Sequence, residues 1–390
     1  MATETAELTI TKRQLILRDS LAFLTLLAIT IVLFGVTLLL FRSFEEHRAE
    51  LARRWATRGR DAFNNRHPEQ AISALRTALS YAPGEISYET LLAESLAQAG
   101  RTDEAYNYFL GLWEARPGDG FLNLQLARLA ATRKDVDRAI HFYRSSIYGT
   151  WEGDGVQRRR EVRLELARYL IEQHQFEAAR TELLIADGNA PEVPGLNMTL
   201  AQMLEQAQAP ADALKLYRKA IAQEPNNAAA LGAVGRLAFE QHLFATSRSL
   251  LERALRTTHD PQQAQQLNAL MAQIQRIQQL DLAETLPVRE RVERILAERG
   301  TARKRLQDCI TSTFSATEPL QLLTDRWTAA EKITRPVLLQ NPDQQTAMVQ
   351  LIYDTEVATN QHCGPPTGDD ALLLALAQAR TTALEGADHP

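Results

Sequence analysis

The stretch PEQAISALRTALSYAP, residues 68–83, returns in outline 34 residues later as TDEAYNYFLGLWEARP, residues 102–117. An alanine (Ala71, Ala105) is followed after four residues by a large apolar one (Leu75, Phe109) and after twelve by a proline (Pro83, Pro117). Ala139 and Tyr143 continue the same register. It resumes six residues late at Ala179, Leu183, Ala186 and Pro191, then runs through Ala213, Tyr217, Ala220 and Pro225 to a last copy with Ser247, Leu251 and Ala254. Upstream of each alanine, a large apolar residue precedes a small one: Leu92-Ala93, Leu126-Ala127, Leu166-Ala167, Leu200-Ala201 and Val234-Gly235, with Trp55 and Gly59 in the first copy. A fixed period of this length marks a repeat array. Small residues let two antiparallel helices approach, large ones fill the space beside them, and proline stops the second helix.

Trp55, Gly59, Ala71, Leu75, Ala78 and Pro83 resemble the Trp, Leu-Gly, Tyr, Ala, Phe, Ala and Pro pattern of the tetratricopeptide repeat. Six copies are placed at 52–85, 86–119, 120–153, 160–193, 194–227 and 228–261, an array spanning 52–261 with an insertion near 152–159. Trp151 in place of the third proline and Ser247 in the sixth copy depart from the pattern. The resemblance implies an all-α solenoid whose first helices line an inner face that takes a protein or peptide partner.

The ninth position of the first helices reads Arg60, Glu94, Arg128, Arg168, Gln202 and Arg236. One reading is an arginine ladder facing an acidic segment or a free C-terminal carboxylate, which guanidinium groups bind bidentately. The other is a solvent-facing position that takes arginine for helix propensity and pairs it with acids such as Glu161 and Glu165. Phe63, Phe121, Ile171 and Phe239 are expected towards the same face, as apolar anchors or as packing between repeats. In the insertion, Trp151 and the run Arg158, Arg159 and Arg160 form either a partner contact or a plug in a stretched boundary.

Before the repeats, Leu21 to Phe41 (LAFLTLLAITIVLFGVTLLLF) is uncharged over 21 residues, long enough as a helix to cross roughly 30 Å of hydrocarbon. No small-residue cleavage site follows, so the segment 19–42 reads as an uncleaved signal anchor rather than a signal peptide or a buried core helix. Lys12, Arg13 and Arg18 precede it and Arg42, Arg48, Arg53 and Arg54 follow it. A long C-terminal domain translocates largely regardless of its charge, which favours a cytoplasmic tail at 1–18 and a periplasmic or extracytoplasmic body.

Beyond Pro261 the register is lost but helical periodicity persists. Residues 262–390 read as a helical region. A helix over Gln262–Leu280 is expected to cap the last repeat, with further helices from Val288 (broken near Gly300, resuming through Leu306 and Ile310), Glu318–Ile333, Asp343 to about Thr359, and Asp369 to about Ala383, the last capped by Thr367 or Asp369. Cys309 and Cys363 lie near the ends of different helices. Bridged, they would close a loop worth roughly 3 to 4 kcal/mol; the alternative is two thiols in a reducing compartment.

Composition narrows the function classes. In 390 residues, 43 basic and 48 acidic side chains give a net charge of −5, which leaves no basic field for nucleic acid. Two cysteines are too few for a cysteine-only zinc site or an iron–sulfur cluster. The catalytic motifs HExxH, GxSxG and GxGxxG do not occur, and His67, His141, His174 and His242 fall on repeat helices or turns where a solvated role is expected. No metal and no cofactor are expected. The favoured reading is a membrane-anchored scaffold or adaptor, not an enzyme, that binds a protein or peptide through its groove in cell-envelope assembly or secretion. The alternatives are a non-catalytic structural subunit of a stable membrane complex, and a thiol-redox enzyme acting through Cys309 or Cys363.

Overall fold

The computed structural model describes residues 12–188, 195–313 and 318–387, all of them helices or short connections. Residues 1–11, the side chains of Lys12 and Arg13, Pro191 and Pro390 lie outside the described residues. The chain divides into two compact units, residues 1–173 and 174–390. The division falls in the turn inside the fourth repeat.

The first unit contains α1 (Lys12–Asn64), α2 (Pro68–Tyr81), α3 (Ile86–Gln98), α4 (Thr102–Ala115), α5 (Gly120–Thr132), α6 (Val136–Tyr148) and α7 (Gly155–Glu172). Odd and even helices pair antiparallel, and each pair buries the residues that carry the repeat. Ala71, Leu75, Ala93, Ala105, Phe109, Ala127, Ala139, Leu166 and Ala167 are completely inaccessible. At Gly59 on α1, a Cβ would stand 2.6 Å from Leu75 Cγ, so the glycine sets how closely α1 meets α2.

Every first helix of the array ends on a left-handed residue at the repeat spacing: Arg66, Gly100, Lys134, His174, Gln208 and His242, with φ between 55° and 75°. The amide of the following residue reaches back to the helix, as in His67 N–H to Ala62 O at 2.9 Å and Leu243 N–H to Ala238 O at 2.8 Å. This closure satisfies carbonyls that the helix end would otherwise leave open.

The apolar stretch 21–41 lies inside α1, uncovered by any other described residue. No break separates residues 12–18, the apolar stretch and the first repeat helix; all are one helix of 53 residues. Arg48 donates from Nε and a terminal nitrogen to Tyr81 O at 3.2 and 2.8 Å, fastening α1 to the end of α2.

The second unit contains α8 (Phe176–Gly188), α9 (Leu196–Gln206), α10 (Pro210–Gln223), α11 (Ala228–Glu240), α12 (Phe244–Thr257), α13 (Pro261–Leu280), α14 (Val288–Thr313), α15 (Glu318–Ala330), α16 (Arg335–Gln340), α17 (Pro342–Cys363) and α18 (Asp369–Ala387). Ser247, the departure in the sixth copy, is fully buried and donates to Gly235 O at 2.6 Å, so a small side chain still fills the close contact. One edge of α13 buries Leu267, Met271 and Ile274 against Leu231, Leu251 and Ala254, while Ile277 and Leu280 join the core of α14–α18.

The expected break near Gly300 is wrong. α14 runs unbroken through it because Val292, Ile295, Ala302, Leu306 and Cys309 form one continuous buried stripe, whose burial outweighs the roughly 1 kcal/mol a mid-helix glycine costs. α15 stops at Ala330 rather than Ile333, where Arg299 donates to the carbonyls of Ala330 and Ile333 at 3.2 and 2.9 Å. α16 was not expected, and α17 continues past Thr359 to Cys363. Cys363 is bonded to Cys309, with the Cα atoms 5.6 Å apart, joining α17 to α14. The Asp369 carboxylate accepts two hydrogen bonds from Arg276 on α13, at 2.9 and 2.6 Å.

Candidate functional site

Within the first unit, the first helices of successive repeats (α1, α3, α5 and α7) and the insertion line one groove of about 940 Å³. α1, α3 and α5 face it because α2, α4 and α6 pack behind them. Arg60, Glu94, Phe121, Arg128, Trp151 and Arg158, all expected as binding residues, lie along this wall. Phe63 and Arg159 are not part of it, and neither are Arg168 and Ile171, although both lie on α7. Gln202 and Arg236 line a separate, smaller hollow of about 270 Å³ in the second unit, with Glu205, Tyr217 and Leu270. Phe239 packs edge-to-face on Phe244 at 5.5 Å and against the cores of the second unit.

The arginines of the ladder differ in what holds them. Arg128 makes a bidentate pair with Glu165, both bonds at 2.7 Å, and Tyr143 Oη donates to the same carboxylate at 2.9 Å. Burial pushes the Glu165 carboxyl up, but the guanidinium and the phenol outweigh it and hold it below the usual range. The Tyr143 phenol is pushed well up, by burial first and by the carboxylate beside it second. Arg236 is likewise bonded to Glu205 and to Glu240, and Tyr217 donates to Glu205 at 2.7 Å. Arg60 and Arg168 have no ion-pair partner among the described residues. The pairing reading therefore describes Arg128 and Arg236, with Glu240 at the i,i+4 spacing of a helix pair and Glu205 as an acid the sequence spacing does not reveal.

Glu94 is the opposite case. It is half-buried on α3, no donor reaches its carboxylate among the described residues, and burial raises its pKa.

The insertion is folded back onto the α4–α5 turn. Gly120 N–H donates to Thr150 O and Thr150 N–H to Gly118 O, both at 2.8 Å. Trp151 Nε1 donates to Ser146 O at 2.9 Å, and the indole lies so close over Gly120 that a Cβ there would fall 2.4 Å from Nε1. Trp151 thus plugs the stretched boundary and also shows part of its surface to the groove. Arg158 pairs with Glu161 at 3.1 Å, and Arg159 reaches Gly149 O at 3.4 Å. Glu85, Arg116, Asp119 and Glu152 complete the charged lining, and none was expected from the sequence. Their only signal is position, Glu85 at the start of α3, Arg116 and Asp119 in the α4–α5 turn and Glu152 in the insertion.

Among the described residues no group of three or more His, Cys, Asp or Glu could hold a metal ion. His242, at a left-handed turn, has a buried Nδ1 without a partner, and burial lowers its pKa.

Tetratricopeptide-repeat family models match residues 57–120, 164–228 and 204–274. No curated protein sequence matches the chain. Among solved structures it is similar to the C-terminal part of a TPR repeat-containing protein from Cytophaga hutchinsonii, at 13% identity and a TM-score of 0.47 over 61% of this chain and 93% of that one. A tetratricopeptide repeat protein from Parabacteroides merdae matches at 10% identity and a TM-score of 0.40, over 64% and 92%. Pseudomonas aeruginosa pilF matches at 16% identity and a TM-score of 0.39, over 57% and 99%. The repeat models, the 34-residue register and the paired helices agree, and residues 57–120 and 164–274 are tetratricopeptide repeats.

Proposed function

We propose that this protein is a single-pass, membrane-anchored adaptor that holds a segment of a partner protein in the groove of its first unit. Tetratricopeptide repeats serve generally as non-catalytic interaction modules, and the reading is of binding rather than catalysis. The observation that carries it is the unbroken α1, whose uncovered apolar stretch continues directly into the first repeat helix. A stretch of that length exposed to water is costly, and a bilayer removes the cost. The short charged tail stays in the cytoplasm, and the body stands on the other side, in the periplasm or its equivalent, where the Cys309–Cys363 bridge persists. A scaffold so placed serves cell-envelope assembly or secretion.

The test is photo-crosslinking in cells, with a photoreactive amino acid at Gln125 in the groove or at Glu114, exposed on α4 away from it. The adaptor reading expects a discrete adduct from position 125 and none from 114. Identical adducts from both positions, or none from either, would remove it. A phosphatase fused after Pro390 is expected to be active outside the cytoplasm; an inactive fusion reverses the orientation.

A further inference from the structure

The sign of the groove's charge follows from which of its ions are already satisfied. Three of its four arginines are cancelled within the wall: Arg116 by Asp119 at 3.4 Å, Arg128 by Glu165 at 2.7 Å and Arg158 by Glu161 at 3.1 Å. What remains is one guanidinium, Arg60, against three carboxylates, Glu85, Glu94 and Glu152. The arginines that suggest an acidic ligand are therefore mostly spent, and the uncompensated charge is negative. Within this lining, Glu94 is half-buried and unbonded, so it carries a desolvation cost that an incoming cation would relieve. Independently, the groove presents parts of Phe121 and Trp151, and aromatic faces near carboxylates suit the ammonium or guanidinium of a ligand.

We infer that the groove takes a basic segment of its partner, an extended stretch with at least one lysine or arginine seated on Glu94 and a second cationic or polar residue towards Glu152. The inference rests on the groove being the binding site and adds the partner's chemistry. It also assigns roles within the site: Glu94 and Glu152 select, whereas Arg128 and Glu165 brace the wall against each other.

Full-length protein in nanodiscs of zwitterionic lipid is titrated, by fluorescence anisotropy, with labelled twelve-residue peptides of alternating alanine with lysine, glutamate or glutamine. The lysine peptide is expected to bind about tenfold more tightly than the glutamine peptide, and the glutamate peptide most weakly. Glu94→Gln is expected to weaken the lysine peptide roughly three- to tenfold and leave the glutamine peptide unchanged, the range of a charge-assisted hydrogen bond. Glu114→Gln, the same change of net charge outside the groove, is expected to do nothing. Preference for the glutamate peptide, or equal loss in Glu94→Gln and Glu114→Gln, overturns the inference. Gln125→Trp, which fills the groove, separates the two ideas. If it abolishes binding of every peptide while Glu94→Gln changes nothing, only the charge assignment fails. If all three peptides bind Gln125→Trp as they bind the parent protein, the groove itself is not the site and both ideas fail.

Discussion

The repeats of the first unit and the helices that end the second treat polar groups in opposite ways. In the repeats of the first unit the interior is mostly alanine, leucine and aromatic rings, its buried polar side chains such as Asn123 and Ser146 are uncharged and hydrogen-bonded, and ions pair between neighbouring helices at the surface, as Arg128 does with Glu165. In α14–α18 the charge lies inside. Arg291 is buried and donates to Leu282 O and to Gln345, which itself donates to Leu338 O. Trp327 donates to Thr355, fully buried on α17. Glu356, one residue further, is inaccessible, and among the described residues neither of its carboxylate oxygens has a partner. Its neighbours Arg305 and Asp370 also keep a buried unpartnered atom each. A repeated unit can spread its stability over many copies of one contact, whereas a non-repeating bundle depends on a few individual devices. Breaking one of each kind should therefore give damage of different reach.

The largest effect is expected at the bridge. Replacing both Cys309 and Cys363 by serine should cost about 4 kcal/mol, because the covalent loop spans 54 residues. Hydrogen exchange should quicken in α14 to α17 and stay unchanged in α1 to α6. Equal quickening in both regions would mean that the two are not separately stabilised. Next comes Leu75→Ala, which empties a fully buried site between α1 and α2 and should cost about 3 kcal/mol. Here the repeat geometry allows a sharper check. Gly59→Ala alone should destabilise, since its Cβ would meet Leu75 Cγ at 2.6 Å, yet the same change in the Leu75→Ala background should recover about 1 kcal/mol by filling the vacated space. Thermal denaturation of the four proteins, with exchange of α1 and α2 as the local readout, decides it.

The same contrast explains what could be read from the sequence. The repeat register was legible because alanine, large apolar residue and proline each do one job at a fixed spacing, so Ala71, Leu75 and Ala105 sit buried where the pattern places them. The turn between paired helices was not legible. It needs a left-handed residue in every copy, and only Gly100 of the six is glycine; Arg66, Lys134, His174, Gln208 and His242 hold that conformation because the surrounding helix ends dictate it. Gly300 misled in the other direction, since a helix-weakening residue says nothing about the buried stripe on either side. The candidate site was half legible. Position nine of the first helices places Arg60, Glu94 and Arg128 on the groove, but whether an arginine is free depends on acids in other repeats, and no spacing rule relates Arg236 to Glu205. Glu356 gave no signal at all, because a glutamate on a long helix is ordinary until its neighbours close over it.

That carboxyl gives the pH dependence of the bundle. Burial, first, and the nearby Asp370 carboxylate raise the Glu356 pKa to about 8, with Arg305 pulling the other way and Glu298 adding to the rise. The Asp370 and Glu298 carboxyls are also pushed up, chiefly by burial. A carboxyl whose pKa is higher folded than unfolded stabilises the fold fully while it is protonated in both states. That contribution is lost as pH climbs from the ordinary carboxylate range through about 8. The bundle should therefore be most stable near pH 5 and weaken towards pH 8, with a slope of at most about 1.4 kcal/mol per pH unit for each proton involved. Glu356→Gln, neutral at every pH, should flatten the slope and make α14–α18 more stable at pH 8. A melting profile that stays equally steep in the variant would assign the slope elsewhere. Melting of the repeats of the first unit should depend on pH less steeply, since there burial pushes the Glu94 carboxyl up while the Glu165 carboxyl is held low and stays ionised throughout.

The smallest effect, and the finest test of the contrast, is the coupling between Arg128 and Glu165. Both side chains keep partial access to water, 47% and 27%, so solvent screens much of their attraction. The bidentate geometry and the Tyr143 hydroxyl on the same carboxylate favour the upper end of the surface-pair range. A double-mutant cycle with Arg128→Ala and Glu165→Ala should then give a coupling energy of about 1 kcal/mol, falling in high salt. A value near zero would make the surface pairs of the repeats ornaments of packing, so that apolar contacts alone hold that region. A value above about 2 kcal/mol would place the repeats closer to the bundle, with charge doing structural work in both, and would mean that the groove wall is fixed before any ligand arrives.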